Sequence, residues 1–444
     1  MQSPLSPERR SQVLKKVSWR LLPLVVASYL VAYIDRTNVS FAALTMNPDL
    51  GLSAYMYGWG AGIFFIGYAM FEVPSNIILQ KTSARLWIAR IMITWGIISG
   101  LMAAVTGPTS FLVLRFLLGV AEAGFFPGII FYLTFWFPAE YRGRAISVLY
   151  IAVPMSNALA SMISGVILQM DGIWGLKGWQ WIFIIEAMPA VLLGFVVMKH
   201  MTDRPREAAW LEPEEREWLE SELQAERDHV ERHGMLTMFQ AMKDRRVLAL
   251  SIIYLTNVTA SYGIVFFMPQ MVKSLGLSNL ATGFVTAIPY TIGIIGLIAW
   301  GYSSDRLRER RKHLIAATAV AAVGYFAAGW LSSSYWTVVA MSIVTLGVYG
   351  CRPTFWPMPS LFLTGAAAAA GMAFINSIGN LGGYFGPFVV GWIKDSTHSF
   401  EMALYFLGAC TFLSVIVTYL SVRATSPAVA PATHTGEAVT SARS

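Results

Sequence analysis

Seven charged residues stand inside long apolar stretches of this chain, where little water is available to solvate them. A charge at the centre of a bilayer is costly, so each needs a partner, a polar cavity or a function. Two chemistries fit these residue types: arginine can bind an anion through its forked donors, and a carboxylate can take up and release a proton. The seven are Asp35, Arg36, Glu72, Arg115, Glu122, Glu186 and Arg352.

The adjacent residues Asp35 and Arg36 form the densest pair of these charges. Neighbouring side chains on a helix point about 100° apart, so one can face a central cavity while the other faces a neighbouring helix. Arg36 is the first candidate to bind a substrate anion, because its donors match a carboxylate bidentately. Tyr33 lies on nearly the same face and could add a hydroxyl donor. The alternative is a structural ion pair that holds the first and fourth apolar segments together.

Arg115 and Glu122 are seven residues apart, so they share one helix face but lie about 10 Å apart along it. A carboxylate holds its proton more tightly when it is desolvated and less tightly beside a cation. We therefore expect Glu122 and Asp35 to be proton sites, with Arg115 as a switchable partner. Alternatively, Arg115 caps backbone carbonyls and Glu122 is a fixed packing acid. For Glu72 and Glu186 we favour a structural role over a place in the cavity.

Polar residues of the second half could complete the same cavity. Arg352 lies four residues before Trp356 in a proline-rich stretch, where a helix must be kinked or broken. A second cation there suits a dicarboxylate, whereas the alternative is that Arg352 caps the broken helix or reaches an interface. Asn376 and Asn380 form a polar stripe that either binds substrate or joins helices. The seventh span offers further candidates to complete the pocket, with simple packing as the alternative for the last of them: Tyr254, Asn257, Ser261 and Tyr262. Trp356 and Tyr68 are candidates to bind an aromatic acid, with ordinary helix packing as the alternative.

The elements that must position these residues are membrane-spanning helices. Hydrophobic residues make up 56% of the 444 and charged residues 13%, against about 45–50% and about 25% in soluble proteins. Since a helix needs about 20 apolar residues to cross a bilayer, we predict an all-α membrane protein of twelve transmembrane helices in two six-helix halves. The predicted spans are 19–44, 58–80, 86–106, 111–137, 144–168, 179–199, 247–272, 280–303, 313–332, 335–363, 371–393 and 400–422.

Polar segments divide the chain into a cytoplasmic N-terminal segment (1–18), two helical halves (19–199 and 247–423), a linker (200–246) and a tail (424–444). The linker has acidic residues after a proline, followed by tryptophans and leucines at helical spacing. This pattern predicts an amphipathic helix on the inner membrane face, with a solvated linker helix as the alternative. The tail is rich in Ala, Pro, Thr and Ser, which predicts disorder.

The formal net charge of +7 could suggest a nucleic-acid-binding protein, but its distribution does not. Four basic residues (Arg20, Arg90, Arg144 and Lys199) lie toward the ends of predicted spans on the side of the termini, and we count them with the adjacent loops. Of the 32 Lys and Arg residues, 26 then lie on the side of the termini, three on the opposite side and three deep inside spans. Cytoplasmic loops of membrane proteins carry such an excess of basic residues. We therefore predict that both termini are cytoplasmic and that the protein interacts with a lipid bilayer and not with nucleic acid.

Chemistry that needs a metal or a nucleophile has little support in the sequence. Cys351 and Cys410 fall inside predicted spans, and all six histidines lie in loops, tails or at span ends. We find no metal-ligand spacing, no nucleophile–base pairing and no phosphate-binding loop. We therefore expect a transporter and not an enzyme, with no cofactor and with the proton as coupling ion.

The loop between the eighth and ninth predicted spans, taken with the last residues of the eighth, contains Gly301, Asp305 and Arg306, followed by several basic residues. This loop resembles a signature of the major facilitator superfamily. The resemblance implies the twelve-helix fold, a gating role for these three residues and a monomer.

Five further segments, in the right order along nearly the whole chain, resemble the anion:cation symporter branch of that superfamily. They begin at Tyr33, Arg115, Gly178, Asp203 and Ile375. The resemblance implies an inner-membrane protein that takes up an organic anion with protons: a tartrate-like dicarboxylate, an aromatic acid or a sugar acid. It also implies that Tyr33 and Arg36 act on substrate and Asp35 in proton coupling, and it favours Asn376 as a ligand.

Two transport mechanisms remain open from the sequence. A proton symporter requires buried acids and cavity arginines, and both are present. A proton-independent facilitator or exchanger of organic anions would keep its exchange activity when Asp35 or Glu122 is neutralised. A drug antiporter would more often have a glycine-rich fifth span, and the stretch from Tyr150 to Asn157 has no glycine.

Overall fold

The computed structural model describes residues 5–231, 243–332, 334–359 and 365–421. The predicted tail 424–444 and part of the predicted linker, 232–242, lie outside the described residues. The first half consists of α1 (Pro7–Leu50), α2 (Ala54–Lys81), α3 (Ala84–Leu101), α4 (Pro108–Glu122), α5 (Phe125–Leu133), α6 (Ala139–Ile167) and α7 (Gly178–His200). The linker contains α8 (Pro213–Glu231). The second half consists of α9 (Arg245–Lys273), α10 (Asn279–Leu307), α11 (Arg310–Trp330), α12 (Trp336–Phe355), α13 (Gly365–Thr397) and α14 (Glu401–Ser421).

Eleven helical segments of the described chain are long and apolar enough to cross a membrane, with α4 and α5 counted as one segment. The helix α13 has 33 residues, but it is less apolar because it carries Asn376, Asn380 and several glycines. It packs against α2 and α9, so it belongs to the bundle and completes the six helices of the second half. The predicted all-α fold with two six-helix halves is confirmed.

Three predicted spans differ in detail from the helices. The first helix begins at Pro7, where the Ser6 side chain accepts a hydrogen bond from the Arg9 N–H (3.3 Å), so it extends through most of the predicted N-terminal segment. The fourth span is broken after Glu122, because Gly124 adopts a left-handed conformation with φ of +84°. The tenth span was predicted to reach residue 363, but α12 ends at Phe355 in the proline-rich stretch.

The two halves meet most closely at the end of the bundle opposite the termini. A Cβ atom on Gly283 of α10 would lie 2.9 Å from the Cα of Gly165 in α6, so the two helices touch through their backbones. At the start of α2, the Asp395 carboxylate of the other half accepts hydrogen bonds from the N–H groups of Ala54 (3.0 Å) and Tyr55 (2.8 Å). These contacts close the centre of the bundle on that side.

The linker helix α8 packs against the first half. Its apolar residues Leu219 and Leu223 are buried in the hydrophobic core of the protein, whereas many of its other residues are exposed. The apolar face of this amphipathic helix therefore packs against protein. Glu215 forms an ion pair with Lys16 of α1 at 2.9 Å. Burial raises the pKa of Glu215, but the Glu212 N–H and Lys16 outweigh that effect and hold the pKa below its usual value.

Candidate functional site

A cavity between the two halves is lined by residues of both. It encloses about 970 Å³ of empty space, including the part open to solvent, which is room for a small organic solute. Among the described residues that line it are two arginines, three asparagines and six tyrosines, and none is a carboxylate. These polar lining residues are Arg36, Arg352, Asn257, Asn376, Asn380, Tyr29, Tyr33, Tyr68, Tyr150, Tyr254 and Tyr262.

Arg36 has two kinds of partner at once. Its guanidinium forms an ion pair with Glu122, the last residue of α4, and donates a hydrogen bond to the Tyr262 hydroxyl at 3.2 Å. The Tyr33 ring lies 4.9 Å from the guanidinium carbon. The structure therefore contains the ion pair between the first and fourth spans, and it also places Arg36 at the cavity wall together with Tyr33 and Tyr262. The two sequence interpretations of Arg36 are compatible.

Asp35 faces away from the cavity, as expected for the neighbour of Arg36. Its carboxylate accepts hydrogen bonds from the Ser99 hydroxyl of α3 and from the Asn38 side chain (3.1 Å). The residue is 2% exposed, and its second carboxylate oxygen has no hydrogen-bond partner within the described residues. Asp35 therefore does not line the cavity, and it joins α1 to α3 through the Ser99 hydroxyl.

Arg115 is fully buried and holds the backbone of a neighbouring helix. It donates hydrogen bonds to the carbonyl oxygens of Gly60 (3.2 Å) and Ala61 (3.4 Å) in α2. The ion-pair partner of Glu122 is Arg36 and not Arg115. The contacts of Arg115 are thus those of the alternative in which it caps backbone carbonyls. The expected role of Arg115 as a switchable partner of Glu122 stays a prediction.

Arg352 reaches the cavity from the second half, at the end of α12. Its guanidinium carbon lies 5.4 Å from the centre of the Tyr349 ring. Trp356 follows one turn later, and Asn376 and Asn380 of α13 line the same cavity. The structure therefore brings together the residues that the sequence predicted to bind substrate.

The remaining candidates lie outside the cavity lining. Glu186 of α7 is buried and accepts a hydrogen bond from the Ser164 hydroxyl at 2.6 Å, which agrees with the structural role that we favoured. Glu72 is half-buried on α2.

The three residues of the predicted gating loop lie in the last two turns of α10, just before the short connection to α11, and not in a loop. Asp305 forms an ion pair with Arg310 at 2.5 Å, within the same half. Arg306 is exposed, and Gly301 approaches Pro353 of α12. The gating role of these residues stays a prediction.

Two lining tyrosines, Tyr29 and Tyr150, were missed by the analysis of the sequence. Tyr29 lies one turn before Tyr33, and their rings are 5.0 Å apart. The spacing of Tyr29, Tyr33 and Arg36 places them on one face of a helix, so this pattern was available in the sequence. Tyr150 had no comparable signal, because its neighbours in the cavity come from other helices.

Comparison with known proteins shows which proteins this chain resembles and to which family it belongs. Two proteins of Agrobacterium vitis, both named provisionally as tartrate transporters, are 48% identical over 421 and 434 residues; they cover 94% and 97% of this chain and 93% and 100% of their own length. A protein of Acinetobacter baumannii named as a quinolone resistance transporter is 43% identical over 92% of this chain and 94% of its own. These names confirm a transporter and not an enzyme.

The xylose transporter XylE of Escherichia coli, in an inward open conformation, has a similar fold. It superposes with a TM-score of 0.73 at 16% identity, covering 92% of this chain and 97% of that one. The family model of the Major Facilitator Superfamily matches residues 25–387. The chain therefore belongs to the Major Facilitator Superfamily.

Proposed function

We propose that this protein takes up a small organic carboxylate together with protons, by alternating access, across the bacterial inner membrane. The relatives named for tartrate support a carboxylate as the substrate. The uneven distribution of basic residues supports cytoplasmic termini, which makes the open end of this cavity the cytoplasmic one. We further propose that the monomer is the working unit.

The observation that carries this proposal is the double role of Arg36. One guanidinium lines the cavity and also pairs with Glu122, which is itself only 2% exposed. A substrate carboxylate that binds Arg36 competes with Glu122 for the same donors. A buried carboxylate that loses its cation is strongly disfavoured as an anion, so Glu122 takes up a proton when the substrate binds. Substrate and proton therefore load together and leave together.

Asp35 is proposed as a second proton site. It has no cation within ion-pair distance among the described residues, and a desolvated carboxylate without such a partner favours its protonated form. Because its carboxylate accepts a hydrogen bond from the Ser99 hydroxyl of α3, its protonation would change this contact behind Arg36.

The test uses purified protein in liposomes with an inward proton gradient. Tartrate, phthalate, 4-hydroxyphenylacetate and a sugar acid are offered separately to the wild type, to Glu122→Gln and to Glu186→Gln. We expect the wild type to accumulate at least one acid against its gradient. Glu122→Gln should lose accumulation and keep counterflow exchange, whereas Glu186→Gln, a buried acid away from the cavity, should keep both.

The alternative is a proton-independent facilitator or exchanger. In that case uptake by the wild type equilibrates and ignores the proton gradient, and Glu122→Gln transports like the wild type. This outcome would reject the proposed coupling and leave Arg36 and Glu122 as a structural ion pair.

A further inference from the structure

We infer that the substrate carries two carboxylates and that Arg36 and Arg352 each bind one of them, from opposite halves of the protein. This inference rests on the proposed function, since it specifies which organic carboxylate the cavity accepts. It assigns Arg352 as the residue that selects a dicarboxylate over a monocarboxylate.

The two cavity arginines differ in how their charge is balanced. Arg36 is paired with Glu122. Arg352 forms no ion pair and donates no hydrogen bond to a carboxylate or a backbone carbonyl within the described residues, although its ring neighbour Tyr349 is close. The structure therefore does not support the alternative that Arg352 caps the broken end of α12. Its charge is directed into a cavity that has tyrosines and asparagines but no described carboxylate.

A cation within the membrane needs a compensating anion. When a dianion binds and Glu122 is protonated, the two positive charges of Arg36 and Arg352 are matched by two negative charges, and the cavity is neutral. With Glu122 protonated, as the proposed coupling requires, a monoanion would leave one positive charge uncompensated. Since alternating access requires the halves to close around this cavity, the neutral complex is the one that closes at lower cost.

The positions of the two arginines favour a substrate that joins the halves. Arg36 belongs to α1 and Arg352 to α12, so a molecule with a carboxylate at each end is held by both. Asn376 and Asn380 of α13 line the same cavity and carry amide groups that can bind the hydroxyls or the second oxygens of such a substrate.

The experiment measures binding to purified protein by titration calorimetry, with probes that differ in one charge. L-tartrate is compared with its monoamide, and phthalate with its monoamide, because the amide removes one carboxylate and keeps the size. 4-Hydroxyphenylacetate and galactonate serve as monocarboxylates. The proteins are the wild type, Arg352→Gln, Arg352→Lys and the control Arg90→Gln, which removes an arginine that stacks on Trp87 in α3, outside the cavity.

We expect the wild type to bind the dianion of at least one pair about 10- to 100-fold more tightly than its monoamide, as for a charged hydrogen-bonding partner. Arg352→Gln should lower the affinity for the dianion to that of its monoamide and leave the affinity for the monoamide nearly unchanged. Arg352→Lys should fall between the two, because it keeps the charge and loses the fork. Arg90→Gln should retain the preference, which excludes a general effect of removing an arginine.

Equal binding of a dianion and its monoamide by the wild type, or a preference that survives in Arg352→Gln, would overturn the inference. Binding of only the two monocarboxylates would also overturn it and would leave the proposed uptake of a carboxylate standing. If none of the six probes binds and none is accumulated in liposomes, the proposed function itself fails.

Discussion

The Arg36 guanidinium is surrounded by aromatic rings on the first half of the protein. The rings of Tyr33, Phe64 and Tyr68 lie 4.9, 5.3 and 5.6 Å from its central carbon. An aromatic face attracts a cation, and the attraction is larger where water is excluded. This environment, together with Glu122, explains how a charged group is tolerated at the centre of the bundle and still remains available to an anion.

At the residue scale, one hydrogen bond between the halves can be removed by deleting a single hydroxyl group. Tyr57 of α2 is fully buried and donates a hydrogen bond to the carbonyl oxygen of Phe266 in α9, across the halves, at 2.8 Å. This bond exists only where the halves are in contact, so its loss in Tyr57→Phe destabilises only the closed conformation, by about 1 kcal/mol. We expect the population of the conformation closed at that end to fall about fivefold relative to the separated one.

The matched control is Tyr325→Phe, because Tyr325 donates to the Ala260 carbonyl at the same 2.8 Å but within the second half. Spin labels at the exposed positions Trp174 and His398, one in each half, report the distance between the halves. Tyr57→Phe should broaden this distance distribution toward longer values, and Tyr325→Phe should lower only the thermal stability. An unchanged distribution in Tyr57→Phe would contradict the expectation.

The site residues could largely be predicted from the sequence, and an ion pair between the first and fourth spans was one of the alternatives, but the sequence did not identify which residues form it. A charge inside an apolar stretch stands out in any sequence, which is how Arg36, Glu122 and Arg352 were found. The pairing of Arg36 with Glu122 joins residues 86 positions apart, and the Ser99 hydroxyl reaches Asp35 over 64 positions. Such contacts depend on the order in which helices pack, and periodicity within one helix carries no information about it.

At the scale of the elements, length and hydropathy predicted the helices well and their breaks poorly. The apolar stretch of the fourth span continues through Ala123 and Gly124 without a polar residue, so hydropathy did not indicate the break between α4 and α5. The local signal was Gly124 followed by Pro127, since glycine and proline commonly mark breaks. A Cβ on Gly124 would lie 2.4 Å from the Ser75 hydroxyl oxygen. The close approach of α2 therefore requires glycine here, and this break places Glu122 at a helix end beside Arg36.

Helix contact through glycine backbones gives a prediction for the closed end of the bundle. In Gly283→Ala the new Cβ would lie 2.5 Å from the Ser161 carbonyl oxygen and 2.9 Å from the Gly165 Cα. Both are backbone atoms, so α6 and α10 must move apart, and overpacking of this kind costs about 1–3 kcal/mol. We expect the labels at Trp174 and His398 to separate and uptake to slow.

The control for Gly283→Ala is Gly143→Ala at the other end of α6, where no atom lies within 4 Å of the new Cβ. This variant should keep the wild-type distance distribution and rate. If Gly283→Ala keeps them as well, the backbone contact between α6 and α10 does not determine how tightly the halves close.

At the scale of the whole molecule, the linker belongs with the first half. The ion pairs Arg9–Glu212 (2.6 Å) and Lys16–Glu215 (2.9 Å) join α1 to the linker, and Asp203 accepts hydrogen bonds from Ser83 and from the Arg85 N–H at the start of α3. These contacts lie on the side of the termini. We therefore expect the first half and the linker to move as one body and the second half as the other.

Cross-linking distinguishes motion within a body from motion between bodies. In a background that lacks Cys351 and Cys410, a short bifunctional thiol reagent joins cysteines at Tyr55 and Phe388, whose rings are 5.3 Å apart across the halves. Alternating access requires this end to open, so the cross-link should abolish nearly all transport until the reagent is cleaved. Cysteines at Arg9 and Glu212, within one body, should be cross-linked without loss of transport.

Both cysteine pairs are needed, because one tests whether the halves separate and the other controls for the reagent itself. The pair at Arg9 and Glu212 is exposed, so it reacts readily and controls for damage by the reagent. Transport that persists when Tyr55 and Phe388 are cross-linked would mean that the halves do not separate at this end, and rocking of the two bodies would be wrong. Loss of transport from both pairs that is reversed when the reagent is cleaved would instead place the linker between the moving bodies, because only then does fixing it to α1 restrain them; a loss that is not reversed would indicate damage by the reagent.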